Sequence, residues 1–550
     1  MMNRRKFFFK KAAKKPSPKN RDDPIYIPSE EYKQTICQVA YLGKKGYTIP
    51  KSALEPADEE FLRKDLFVKP EVHGANFGGV GETTPFPVFR ENTNKIYLPR
   101  FYGIQRYGVP SRSELQTGDD INVTFSKPLR DYQETIVGEY MKYVDKNICS
   151  ESDAKGSGGI LDVYTGAGKT VMAIKIISLL KKKTLIIVHK EFLMNQWIER
   201  IDEYLPGATV GKIQGPTFDI EGKDIVIGMV QTLYDKDFGP EAFSSFGLTI
   251  IDEVHRIGSE QFSKTLFKTV TPYMLGISAT VERKDKLTKI LYMFIGEVIY
   301  SIKRSGEDSV NVRGIQYISN DPAFNETETD FRGMPKYSTM ITKLCEYGPR
   351  SDFIIRVIKD LLEEEPEKQI MVLCHNRSLL TYLYEGITYR KFATIGYYVG
   401  GMKQEKLQET ESKQIVLATY AMAAEALDIK TLSTLIMITP KTDITQSVGR
   451  ILRMKHENPI IVDIIDSHDV FKNQWIQRRR FYKKCNYRIW EIDSNKYTNM
   501  RMDWTSKNPL WKKTFEPKEP NLEKDPDETN SIATSFQGKC AIDTTIFEGL

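Results

Sequence analysis

The sequence predicts an α/β protein: two parallel, doubly covered sheets in tandem, preceded by a small α+β module. Three observations carry this. Short runs rich in Ile, Leu and Val recur after Pro128, amphipathic stretches such as VMAIKIISLLKKK and EFLMNQWIERIDEYL separate them, and a second series begins after the first has ended. The first series is Gly159 to Val163, Thr184 to Val188, Asp224 to Met229, Leu248 to Ile251 and Tyr273 to Ile277. The second is Gln369 to Cys374, Ala393 to Val399, Gln414 to Ala418, Thr434 to Ile438 and Ile460 to Ile464. At about 150 residues per domain, a chain of 550 residues has room for three to four domains.

Ahead of the sheets, residues 1–21 carry nine Lys or Arg and no acid, with Pro16 and Pro18 near the end, and read as a disordered basic arm. Such an arm binds phosphate, directs nuclear import or simply solubilises a terminus. The stretch 22–127 is punctuated by turns at Gly43, Gly46, Pro50 and Pro56 and reads as an accessory module of short strands. One helix is expected over Glu55 to Asp65, and a glycine-rich surface loop around Gly78 and Gly79. The polar segment 305–345 is expected to connect the two sheets. The segment 491–550, rich in Pro, Glu and Asn after Lys496, is expected to be an extended or loosely packed C-terminal extension.

Charge and composition narrow the function classes. The chain has 79 Lys and Arg against 73 Asp and Glu; without the arm the count is 70 against 73, so any nucleic-acid grip must come from local sites. No apolar run reaches about 18 residues, which argues against a membrane-spanning or secreted protein. The six cysteines, Cys37, Cys149, Cys345, Cys374, Cys485 and Cys540, form no CxxC or His-spaced pair, so neither a zinc site nor a disulfide framework is expected, and a reducing intracellular compartment is.

The strongest chemical signal is Thr165-Gly166-Ala167-Gly168-Lys169-Thr170, which follows an expected strand and opens an expected helix. Glycines let backbone N–H groups face phosphate oxygens, the helix N-terminus adds partial positive charge, Lys169 meets the β- and γ-phosphates, and Thr170 can hold Mg²⁺. Further along, the strand Leu248 to Ile251 runs into Asp252-Glu253-Val254-His255. A carboxylate at the C-terminal end of a parallel strand lies beside the phosphate loop, so Asp252 is expected to coordinate Mg²⁺ and Glu253 to orient and deprotonate the attacking water.

TGAGKT, DEVH, Gly276-Ile277-Ser278-Ala279-Thr280 and Gln446-Ser447-Val448-Gly449-Arg450-Ile451-Leu452-Arg453 stand in the order and spacing of superfamily 2 helicases. The sequence resembles their XPB and UvsW branch, and within it the DEXH helicases of large DNA viruses, of the poxvirus transcript-release, iridovirus and asfarvirus kinds. The resemblance covers roughly Pro128 to Tyr487; KIYLPRFYGI ahead of it also looks like the N-terminal region of those viral proteins. It implies two RecA-like domains, an ATP-binding one at 128–304 and a C-terminal one at 346–490.

The resemblance also implies roles for single residues. Leu129-Arg130-Asp131-Tyr132-Gln133 resembles the Q motif, which makes Gln133 the adenine reader. His189 and Lys190, with Gln231 and Thr232, resemble the segments that touch backbone phosphates. Ser278, Ala279 and Thr280 resemble motif III, which couples the two sites; Cys374-His375-Asn376-Arg377 stands where motif IV begins; Thr419, Glu425 and Asp428 resemble motif V. Gln446, Arg450 and Arg453 resemble motif VI, with Arg453 as the arginine finger. Trp197 and Leu193 are expected in the core, and His375 as a polar strand-end residue. Two departures stand out: Ala426 where relatives often have Gly, and Arg283-Lys284-Asp285 where XPB-branch relatives carry an Arg-Glu-Asp element associated with strand separation. The stretch from Ile429 to Thr445 is too short for the strand-splitting hairpin of other branches.

The expected function is therefore an ATP- and Mg²⁺-dependent DNA helicase or translocase, of 3′-to-5′ polarity by family alone, acting in viral transcription or DNA replication and repair. Two alternatives stand beside it: an RNA helicase, and a nucleic-acid-stimulated ATPase that works mainly as a transcript-release or polymerase-recruitment factor. The expected partners are nucleic acid, DNA before RNA, and a viral RNA polymerase or replication proteins. A monomeric motor with no membrane contact is expected, placed in a cytoplasmic virus factory, nucleus or virion.

Overall fold

The computed structural model describes residues 26–70, 84–147, 158–239, 241–254, 260–279, 287–302, 309–425, 429–452, 456–500 and 509–517. The basic arm and the loop at Gly78 and Gly79 lie outside these residues.

Each large sheet is built on strands whose Val, Ile and Leu side chains are buried on both faces, which is why helices cover both sides. The first runs, across the sheet, Thr217–Phe218, Val210–Gln214, Ile225–Met229, Thr184–Val188, Leu248–Asp252, Tyr273–Ser278, Gly158–Val163, Val298–Ile302. All neighbours are parallel except the Thr217–Phe218 edge. The second runs Ile395–Tyr398, Ile415–Thr419, Gln369–Cys374, Leu432–Met437, Ile460–Asp466, Asn311–Tyr317, Arg488–Asp493, Lys512–Phe515, parallel but for the last edge. These are two tandem RecA-like domains.

Three segment readings need correction. The expected connector 305–345 contains Asn311–Tyr317, an inner strand paired along its whole length with Ile460–Asp466 and over six residues with Arg488–Asp493. Arg313 and Gly314 interrupt its apolar run and hide it. Arg313 is buried because both its terminal nitrogens reach Glu364, at 2.5 and 2.9 Å, and Gly314 is small because a Cβ there would stand only 3.1 Å from Ile465 and 3.2 Å from the Trp475 ring. The C-terminal extension is likewise not wholly loose: Arg488–Asp493 and Lys512–Phe515 complete the second sheet, and Trp511 is buried in its core. At the other end, Ile121 and Val123 belong to the core of the first large sheet, and Asp120 bridges Lys182, so the accessory module stops short of residue 127.

That module has a five-stranded sheet, Arg90–Glu91, Lys95–Leu98, Gly46–Pro50, Tyr41–Gly43 and Arg112–Ser113 across. The expected helix is Pro56–Asp65; Glu30–Val39 and Arg100–Tyr107 are two more that the turn-rich sequence conceals. Asp58, fully buried, binds the module together by accepting from Tyr32, Tyr107 and Arg106. Arg100, also buried, donates to the carbonyls of Thr271 and Pro272 at 2.9 and 2.8 Å and fixes the module to the first large domain. Among the described residues no helix is long and apolar enough to cross a membrane.

Candidate nucleotide site and nucleic-acid face

The strand Gly158–Val163 turns through Tyr164 to Gly168 into the helix Lys169–Leu180. Gly166 and Gly168 take φ of +94° and +85°, a region that side-chain-bearing residues enter only at a cost. Gly168 has a second constraint: a Cβ there would stand 2.4 Å from Gln133 Nε2. Gln133 is buried against the loop, its Nε2 donating to Ala167 O at 2.7 Å while its Oε1 accepts from Arg130 N at 3.0 Å. Tyr132 donates to the same Ala167 carbonyl at 3.1 Å. The side chain expected to read adenine thus uses both edges of its amide on backbone and holds the phosphate loop in shape. Lys169 and Thr170 form the first turn of the helix, at its electropositive end.

Asp252 ends the strand Leu248–Asp252, between the strands Thr184–Val188 and Tyr273–Ser278. It is 6% exposed and accepts from Trp197 Nε1 at 2.9 Å. Burial, and then the charge of Glu253, push its carboxyl up to about 6, against the opposing pull of Trp197, Lys169 and His189. Glu253 follows at φ +54°, a left-handed placement that costs a non-glycine residue on the order of 1 kcal/mol or more. That turn aims successive carboxylates from one strand end into the same space.

The space is a cleft of about 740 Å³ between the two large domains. Gln133, Thr165, Lys169, Thr170, Asp252 and Glu253 line it from one side; Tyr398, Gln408, Lys430 and Arg450 line it from the other. Arg450 is buried on the helix Thr445–Ile451, which also carries Gln446. Among the described residues no cluster of three His, Cys, Asp or Glu could cage a metal ion.

A second group lies on other strand ends. His189 and Lys190 follow Thr184–Val188, and Gln231 Nε2 donates to His189 O at 3.3 Å; Thr232 Oγ1 accepts from Gly215 N at 3.0 Å. Ser278, fully buried, ends Tyr273–Ser278, and Ala279 follows it. On the second domain Thr419 ends Ile415–Thr419, and Glu425 ends the short helix after it. Beside them His375 meets Thr439 Oγ1 through its backbone N–H (3.0 Å) and Nδ1 (2.9 Å), its ring 4.7 Å from that of Tyr420. His375 is a polar strand-end residue held by its neighbours, as the sequence suggested. Thr280, Asp428 and Arg453 lie outside the described residues.

The sequence marks Trp197 for the core only. It is there, 1% exposed, yet its indole N–H is also what orients Asp252. No signal in the sequence pairs the two, which are 55 positions apart. Lys430 in the cleft was equally unmarked.

A phosphate loop and a strand-end acid pair facing an arginine across two RecA-like domains define a two-lobed, nucleoside-triphosphate-driven motor. The comparisons with known proteins agree. The family described as type III restriction enzyme, res subunit, matches residues 126–283, and the helicase conserved C-terminal domain matches 354–455. The "Putative ATP-dependent RNA helicase L396" of Acanthamoeba polyphaga mimivirus is 33% identical over 453 residues, 81% of this chain and 85% of that one. The "Putative ATP-dependent RNA helicase QP509L" of African swine fever virus (isolate Tick/Malawi/Lil 20-1/1983) is 30% identical over 61% of this chain and 70% of its own length. The "DNA 3'-5' translocase XPB2" of Sulfurisphaera tokodaii is 26% identical over 61% of this chain and 81% of its own. The chain belongs to the superfamily 2 helicases, among relatives carried by large DNA viruses, and is a nucleic-acid-dependent ATPase and helicase.

Proposed function

We propose that this chain is an ATP-driven motor on DNA, moving 3′ to 5′ and serving viral transcription or DNA replication and repair. The observation that carries the motor reading is the cleft in which Lys169, Asp252 and Glu253 on one domain face Arg450 on the other. ATP bound there ties the domains together, and its hydrolysis releases them, so that two backbone-gripping faces alternate.

In this reading the amides of Thr165 to Gly168 and the helix N-terminus receive the phosphates, and Lys169 neutralises the β- and γ-groups. Glu253 takes the proton of the attacking water. Arg450 stabilises charge on the transferring phosphoryl group, with Arg453 as the finger and Gln446 beside them. Gln133 exchanges its bond to Ala167 for adenine when nucleotide enters. Thr170 and Asp252 would hold Mg²⁺: burial, and then the charge of Glu253, disfavour the ionised Asp252 carboxylate, which a cation would favour, and magnesium needs only one or two protein ligands. When bound it would supply positive charge to the phosphates. His189, Lys190, Gln231, Thr232 and Thr419 contact the nucleic-acid backbone, and Ser278 to Thr280, Glu425 and Asp428 couple it to the cleft.

The choice of DNA is supported by the translocase named among the relatives; the names of the two viral relatives favour an RNA helicase as the second reading. Steady-state ATP hydrolysis with no polymer, single-stranded DNA, duplex DNA or RNA, against Lys169→Ala as the blank, tests both. Stimulation by DNA well above RNA supports the DNA motor. Stimulation by RNA alone replaces it with the RNA helicase, and hydrolysis at the blank on every polymer leaves the recruitment factor.

A further inference from the structure

We propose that the tight turn at 330–334 is a strand-separating wedge, with Phe331 stacking on the last base pair of a duplex as it opens. The inference rests on reading the chain as a nucleic-acid motor.

The turn is built to hold a side chain still in water. Thr329 pairs with Pro335; Asp330 N–H donates to Met334 O at 2.8 Å and Gly333 N–H to Asp330 O at 3.0 Å. The Asp330 carboxylate closes the loop from inside, Oδ1 accepting from Arg332 N at 2.8 Å and Met334 N at 2.9 Å. Gly333, at φ +76°, takes the left-handed position that a three-residue hairpin loop of this kind requires. At its tip Phe331 is 91% exposed, more than any other large apolar side chain among the described residues, and the Arg332 guanidinium lies 5.0 Å from its ring centre.

Its location gives the ring a partner. Two residues past Pro335, Tyr337 opens the helix Tyr337–Glu346 and donates to Pro440 O at 3.2 Å, at the C-terminal end of the strand Leu432–Met437. Tyr337 and Ser338 line an open depression with His375, Lys441, Asp443 and Gln474. His375 and Lys441 both meet the ring of Tyr420, at 4.7 and 4.9 Å, and Tyr420 follows Thr419 directly. Tyr337 is six positions past Phe331, a reach of at most about 20 Å. The turn is therefore tethered within that reach of the depression beside Tyr420 and Thr419, where the proposed backbone grip lies.

The chemistry favours nucleic acid over a protein partner. Phe331 and the part-exposed Met334 make only a small apolar tip, and protein docking sites need several hundred Å² of contiguous apolar area. Of the nearby carboxylates, Asp330 is engaged by turn amides and Glu328 faces Lys343 at 3.7 Å, while the Arg332 guanidinium lies over the ring. Apolar side chains such as Phe part stacked bases when held rigidly at a groove or junction, and aromatic rings stack on bases of any sequence. Both strand-separating elements known from related branches are altered or too short in this chain, at Arg283-Lys284-Asp285 and between Ile429 and Thr445.

The test is strand displacement on a forked duplex with a 3′ single-stranded arm, in DNA and in RNA, run beside ATP hydrolysis on the same polymers. Phe331→Ala is expected to lose about tenfold or more in displacement, in keeping with the loss of one base–aromatic stack, with stimulated ATP hydrolysis within about twofold of the native chain. Phe331→Trp restores displacement. Asp330→Ala, which frees the turn, copies Phe331→Ala, while Asp330→Asn, which keeps the acceptor oxygen, does not. A 2-aminopurine at the junction brightens on binding the native chain and stays dark with Phe331→Ala. Native-like displacement by Phe331→Ala overturns the wedge and leaves the turn as a protein contact. Absence of displacement by the native chain, with hydrolysis still stimulated, overturns the wedge alone; absence of stimulation by every polymer removes the motor reading and the wedge with it.

Discussion

Gly449, on the helix that carries Arg450, lies against Thr165 of the phosphate loop: a Cβ built on Gly449 would stand 3.1 Å from Thr165 Cβ. The two domains meet there across the cleft, and the absent side chain sets how close the helix of Arg450 comes to the phosphate loop. Gly449→Val should hold the cleft open, cutting stimulated ATP hydrolysis about 100-fold through lost positioning while nucleotide still binds the first domain. Binding of a fluorescent ATP analogue, measured beside turnover, checks the split; equal loss of both would refute it.

The bond from Trp197 to Asp252 predicts a pH profile. In the proposed site Asp252 must be ionised to hold Mg²⁺, and its carboxyl is pushed up to about 6, so kcat/KM for ATP should fall as pH drops through that value. The Trp197 N–H favours the charged form, so Trp197→Phe, which keeps the ring and deletes the donor, should move the acid limb to higher pH. Recovery of kcat/KM at alkaline pH identifies a positioning effect; a uniform loss at all pH values would mean that Trp197 only packs.

His375 makes a prediction about stability. Burial, and then the charge of Lys441, push its imidazole down to about 4 from an ordinary value near 6.5. A base whose pKa is lowered by folding contributes stability that is whole above its unfolded pKa and is lost as pH falls toward the folded one. His375→Gln should therefore flatten the fall of Tm between about pH 6.5 and 4 relative to the native chain. An unchanged slope by thermal melts across that window counts against the lowered pKa.

These sites also mark what a sequence shows. All ten expected strands of the large sheets are present; in the inner ones residues buried on both faces must be apolar throughout and leave an unbroken run. The strand Val210–Gln214, one in from the edge of its sheet, and the strand Asn311–Tyr317, deep in the other, are invisible for opposite reasons. The first shows one face to water and mixes Lys212 and Gln214 into its run; the second tolerates Arg313 only because Glu364, far along the chain, neutralises it. The acid pair and phosphate loop were legible because backbone geometry dictates their residue types. Trp197 was not, since any large apolar side chain could fill that core position, and its hydrogen bond depends on which strand lies opposite.

The second domain depends on an ion pair of the same hidden kind. Arg350, fully buried at the start of the helix Gly348–Glu364, reaches Asp466 with Nε to Oδ1 at 2.6 Å and a second nitrogen to Oδ2 at 2.8 Å, and caps Ile438 O at 2.8 Å. Asp466 ends the strand Ile460–Asp466, so the pair pins a helix to that strand end. Arg350→Met should cost about 3–5 kcal/mol, because it leaves a buried carboxylate without its partner. Arg350→Met with Asp466→Asn should recover part of that, since the charge is removed as well. Calorimetry should show the loss in the second domain's transition, and a double variant no more stable than Arg350→Met would place the energy in packing rather than in the charge.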